Sequence, residues 1–148
     1  MGLSLVHSRT RAGARAPAVQ VEVHVGGGLP RMTVVGLPSG AVCEAKDRVR
    51  AAIHCAQFEF PDGRTTVNLA PADLPKSGGR FDLPIALGVL AASGQLPREA
   101  LHDIEFVGAG KIIEAIAPRT DFAGRLRPAK HQHAHDCDSR PAQIHRFV

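Results

Sequence analysis

Apolar and polar positions alternate most cleanly near the start of the chain. Val19, Val21, Val23 and Val25 alternate with Gln20, Glu22 and His24, a period of two that predicts a half-buried strand. His24 falls on the polar face, as a solvated side chain. Leu3–His7 reads as a short strand before it, and Arg9–Pro17 as a loop rich in Arg, Ala and Gly. Gly26-Gly27-Gly28 is a turn signal, and Met32–Val35 is expected to return from it as the second strand of a hairpin. The period then changes. Val42, Ala45, Val49, Ala52, Ile53 and Ala56 recur at spacings of three and four, which predicts one amphipathic helix with Ser39 as its N-cap. Glu44 and Arg48 lie four apart on its exposed side in the favourable order, beside Lys46, Asp47 and Arg50.

Pro61-Asp62-Gly63 is a turn, and Arg64–Leu69 is the next strand. It runs into the stretch around which the chain is organised. Pro71, Pro75 and Gly78-Gly79 keep residues 70–81 irregular. Asp82 is then expected to cap a helix, with Pro84 in its first turn, where a missing N–H costs nothing. From Leu83 to Ala92 every residue is apolar or glycine, the pattern of a helix buried on all sides, and Gly94 supplies a left-handed stop. Gln95–His102 reads as a linker and Ile104–Gly108 as a last short strand. Strands with two separated helices predict an α+β fold, its helices packed on one mixed sheet.

Composition adds limits. The chain has 148 residues, 44% of them hydrophobic and 22% charged, which fits one globular domain. The longest apolar run, Leu83–Ala92, is half the roughly 20 residues a membrane span needs, and basic residues follow the short N-terminal apolar patch instead of preceding it. A cytoplasmic location with no membrane partner is the expectation. Of the three cysteines, Cys43 and Cys55 would lie about 18 Å apart on one helix, too far to bridge. They are expected, with Cys137, as reduced and mostly buried thiols. A net charge of +4 permits contact with nucleic acid, with basic clusters at Arg9, Arg11 and Arg15 and at Arg125, Arg127 and Lys130. There is no Trp or Tyr, so only the six Phe could stack on bases.

Three constellations invite chemistry. Gly108-Ala109-Gly110-Lys111 is not a phosphate loop, because Glu105 stands where the first glycine is needed and Ile112 where Ser or Thr would hold Mg²⁺. His131, His133, His135 and Cys137 have metal-ligand chemistry, yet the flanking sequence supplies neither a second shell nor a fixed backbone; adventitious binding by an unstructured tail is the expectation. Lys76-Ser77-Gly78-Gly79-Arg80 is the third. Its adjacent Ser and Lys side chains diverge and cannot easily share a proton. Asp73, Lys76 and Arg80 are left with two readings. In one, Asp73 turns the loop and Arg80 pairs with Asp73 or Asp82; in the other, Lys76 and Arg80 are displayed to an acidic neighbouring surface.

The runs LPRMTVVGLPSGAVCEAKDRVRAAI (Leu29–Ile53), FEFPDGRTTVNLAPADLP (Phe58–Pro75) and NLAPADLPKSGGRFDLPIALGVLAASG (Asn68–Gly94) together resemble the YifB/ComM family of Mg-chelatase-like AAA+ ATPases, in its N-terminal Lon-protease-like domain. The resemblance covers roughly residues 3–108. It implies a Lon-like two-layer fold over 1–108. In the Lon-type pattern Lys76 and Gly78 match, but Arg80 stands at the nucleophile position, so no Ser-Lys dyad is expected and no catalytic or cofactor-binding residue is assigned. Residues 109–130 diverge, with a brief return at Gly124–Pro128, and 131–148 form a His-rich tail. The departure from the family pattern suggests a frameshift or premature stop, with the ATPase module that should follow absent. For the full-length family the resemblance implies ATP and Mg²⁺ as cofactors, homo-hexameric rings, and ATP-driven branch migration on DNA in transformation and recombination. The chain alone is then expected to be a non-enzymatic assembly or regulatory domain, partnered by an AAA+ module or like subunits. The competing expectation is a free-standing basic nucleic-acid-binding module.

Overall fold

The computed structural model describes residues 2–36 and 38–108, and the backbone of 143–146. The strands are β1 (Gly2–Arg9), β2 (Ala18–Gly26), β3 (Arg31–Val35), β4 (Arg64–Ala70), β5 (Ile104–Val107) and β6 (Gln143–Arg146). Among the described residues they form one six-stranded sheet in the order β3-β4-β2-β1-β5-β6. β1–β2, β2–β4 and β5–β6 are antiparallel, whereas β1–β5 and β3–β4 are parallel. The helices are α1 (Gly40–Cys43), α2 (Ala45–Cys55) and α3 (Asp82–Ala92), with a 3-10 turn over Arg98–Leu101. The fold is α+β, with a mixed sheet as expected.

Strand alternation sets the layers. Ser4, Val6 and Ser8 on β1, Val19, Val21 and Val23 on β2, and Thr65, Val67 and Leu69 on β4 are buried on one face. Leu3, Leu5, Gln20 and His24 lie on the other face and are exposed. α3 packs against β1, β2 and β5, and also against α2. Ser4 fixes the contact by donating its hydroxyl proton to the Gly88 carbonyl at 2.7 Å. Side-chain-free Gly88 permits this approach, since a Cβ there would stand 2.6 Å from a Val23 methyl.

Several expectations are corrected. β2 and β3 do not form a hairpin: β4 lies between them, antiparallel to β2 and parallel to β3. A parallel pair needs a crossover connection, and α1 and α2 supply it. The turn into that crossover is Gly36, at φ 97°, where a Cβ would meet the Leu69 carbonyl oxygen at 2.2 Å; only glycine fits. The single helix expected over Val42–Ala56 is two, interrupted at Glu44, and Ser39 makes no side-chain cap bond. The linker Gln95–His102 contains the 3-10 turn, whose Leu101 joins the core. Cys43 and Cys55 are exposed, not buried, because both fall off the apolar stripe of Val42, Val49 and Ile53. Cys137 lies outside the described residues. Residues 131–148, expected to lack structure, contribute β6. α3 is as predicted: all of its residues are buried, and Gly94 ends it at φ 79°.

Candidate functional site

The loop from Pro71 to Phe81 leaves β4 through a cis Ala70–Pro71 peptide and delivers the chain to α3. Neighbouring elements hold it from several directions. The Thr10 hydroxyl at the end of β1 donates to the Pro75 carbonyl at 3.1 Å. The Ser39 amide donates to the Lys76 carbonyl at 2.9 Å, and Pro38 and Lys76 form a parallel bridge. At the exit, the Asp82 amide donates to Gly79 and the Gly108 amide to Arg80. Each tie satisfies a backbone carbonyl that a loop of this kind would otherwise expose.

The three interface candidates do not share one surface. Lys76 is only 1% exposed, and its ammonium turns inward to donate to the Pro71 carbonyl. Burial lowers its pKa below the ordinary lysine value, with the Asp73 carboxylate acting weakly the other way. The expectation that Lys76 is displayed is therefore corrected: its stem fills the space beneath the loop and its charge closes the loop on itself. Asp73 is exposed. Arg80 is half-buried, and among the described residues its enclosed Nε has no hydrogen-bond partner. It pairs with neither Asp73 nor Asp82.

Asp82 is taken by another cation. It is the first residue of α3, not its N-cap, and is 2% exposed. Its carboxylate accepts two hydrogen bonds from Arg48 of α2, from Nε at 2.7 Å and Nη2 at 3.0 Å. Arg48 also reaches the Ala41 carbonyl at 2.9 Å. These bonds to Asp82 raise the Arg48 pKa further above its ordinary value, against the cost of burial. The Glu44–Arg48 pair exists too, but at 3.9 Å and on the surface it is the weaker contact. A carboxylate in the first turn of α3 also meets the positive end of the helix dipole. Sequence spacing placed Arg48 on the exposed face; its long side chain lies at that margin and reaches Asp82. No local pattern signals a pairing across 34 positions.

Other basic groups are similarly engaged. Arg9 grips the Glu105 carboxylate through Nε at 2.6 Å and Nη2 at 2.9 Å, fastening β1 to β5, and this raises its pKa. Arg50 stacks over the Phe60 ring, 4.6 Å from its centre. Arg48 and Arg50 are thus each held by a partner while remaining exposed. Arg11 and Arg15 are exposed at the tip of the β1–β2 hairpin. Phe60, Phe81 and Phe106 are buried and offer no stacking platform. Among the described residues no group of His, Cys, Asp and Glu could hold a metal, and no helix is long and apolar enough to cross a membrane. His131, His133, His135, Arg125, Arg127 and Lys130 lie outside the described residues.

An α+β domain whose rigid proline-glycine loop is locked by a buried lysine is what this fold and site define. The family described as subunit ChlI of Mg-chelatase matches residues 21–134, and the chain belongs to that family. It is 59% identical over 107 residues to the competence protein ComM of Haemophilus influenzae, covering 72% of this chain and 21% of that protein. It is 56% identical over 108 residues to the uncharacterized protein YifB of Escherichia coli, covering 73% of this chain and 21% of that protein. An uncharacterized protein of Mycobacterium bovis is 34% identical over 130 residues, 88% of this chain and 24% of that one. The chain spans about a fifth of the length of the curated relatives it matches.

Proposed function

We propose that this domain is a non-catalytic assembly module of an Mg-chelatase-like AAA+ protein of the ComM/YifB kind. Its role is to present a rigid surface that helps an ATPase module, or like subunits, assemble. The observation that carries the reading is Lys76. Lys76, which matches the loop lysine of the Lon-type motif and not its base (a lysine of a later segment), is buried and committed to the Pro71 carbonyl, so it serves as a structural latch that holds the loop rigid. Beside it, the position of a nucleophile is held by Arg80. ATP and Mg²⁺ belong, in this reading, to the ATPase module; the one described residue of the Gly108–Lys111 run, Gly108, has its amide bonded to Arg80. Work on DNA in competence and recombination is the role proposed for the whole assembly.

The test is made in the 59%-identical ComM. Deleting its matching segment should reduce subunit assembly and ATPase rate, and grafting the matched segment of this chain in its place should restore both. Assembly and turnover untouched by the deletion would sink the reading, as would peptide hydrolysis by the purified chain. Exposed Arg11 and Arg15 favour a second reading, direct contact with nucleic-acid phosphates. Binding of duplex or single strands by this chain that weakens steeply with added salt is the result that reading requires.

A further inference from the structure

Among the described residues, β3 closes one side of the sheet and is bonded only to β4. Among the described residues, the N–H and C=O groups on its outer edge have no partner. Edge strands are commonly guarded by Lys, Pro, a bulge or a covering segment. Arg31-Met32-Thr33-Val34-Val35 has no Pro and no Lys, and its register with β4 runs unbroken from end to end. Two large apolar side chains stand in water beside it, Leu29 at 87% exposure just before the strand and Val35 at 41% at its end. Neither contributes to the core.

We propose that β3 is a self-association edge, onto which β3 of a second copy of this chain adds antiparallel about a two-fold axis at Thr33. The sequence is its own complement in this register. Thr33 faces Thr33 of the second copy, a favourable cross-strand pair. Met32 faces Val34 on the core side, where Val34 is buried and Met32 already packs against the core. Arg31 faces Val35 on the outer side, so no like charges meet. Moving the axis to Met32 would set Pro30 against Val34 and cost the ladder a donor. Antiparallel addition lays Val35 of each copy along the aliphatic stem of Arg31 of the other, with Leu29 as the diagonal neighbour just outside the ladder. Such a contact is isologous and closes at two copies. The inference goes beyond the assembly reading and does not depend on it, since it concerns the chain alone.

Sedimentation equilibrium of the whole chain, from low to high micromolar concentration, should show a monomer–dimer equilibrium. Val35→Lys sets lysine opposite Arg31 of the other copy, twice per dimer, and should weaken dimerisation about tenfold. Val35 is a surface residue of the monomer, so the thermal midpoint read below the concentration of dimerisation should not move. Adding Arg31→Glu to Val35→Lys replaces both repulsions with opposite-charge pairs and should restore the dimer. A chain that stays monomeric throughout overturns the proposal. So does a dimer indifferent to Val35→Lys, or one that Arg31→Glu fails to rescue.

Discussion

α2 and α3 are each eleven residues long and use the helix in opposite ways. α2 buries Ala45, Val49, Ala52 and Ile53 and turns Asp47, Arg50 and Ala51 outward. α3 buries every residue, because the sheet and α2 both pack against it. A helix with one apolar stripe has a single neighbour to satisfy, whereas one apolar all round has no surface left to give to water. The consequence is different tolerance. Along α2 a substitution meets solvent more often than protein; along α3 it always meets protein. The two helices are joined where their chemistry differs most, by the surface-anchored Arg48 of one and the buried Asp82 of the other.

The sharpest way to break this contrast is at Gly88. In Gly88→Val the new side chain must enter space held by Val23, and the variant should lose about 3 kcal/mol of stability, read as a lower denaturant midpoint with an unchanged slope. A loss below about 1 kcal/mol would mean that α3 is not seated on β2 as described.

The joint between the helices should come next, and asymmetrically. Arg48→Ala strands a buried carboxylate without its two charged hydrogen bonds, at a cost of roughly 2 kcal/mol, moderated because Arg48 is itself 43% exposed. Asp82→Asn leaves only an arginine that can turn to water, and should cost about 1 kcal/mol or less. Equal losses in thermal or chemical unfolding would show that Asp82 gains nothing from its depth. Smallest of all is Ala51→Gln on the exposed face of α2, a swap between two good helix formers expected to shift stability by less than about 0.5 kcal/mol. A larger shift in the unfolding midpoint would show that this face is covered.

Legibility followed the range of the interaction. The alternation of Val19–Val25, the period of α2 and the apolar run of α3 are local statements about which face meets water, and each reappears in the fold. The β2–β3 hairpin failed because a turn signal says that the chain reverses, not which strand it meets. β4, paired with β2 from Gly26↔Arg64 to Gln20↔Ala70, fills the place. The loop failed differently. Lys76 and Arg80 look alike in sequence, as cations flanking a glycine pair. Burial separates them: one reaches a carbonyl five residues back and the other remains half-buried with its Nε unmatched. Asp82 was recognised as belonging to the start of α3, but its partner on another helix could not be inferred from neighbours in the chain.

What the sequence determined by itself was the class of fold, the family and the buried character of α3. These follow from residue type and short spacing, which fix periodicity and local reach. Tertiary structure alone decided strand order, the Arg48–Asp82 and Arg9–Glu105 pairings, and the inward turn of Lys76. The reason is that each depends on groups distant in the chain competing for the same space and the same hydrogen bonds, a contest settled only when the layers close.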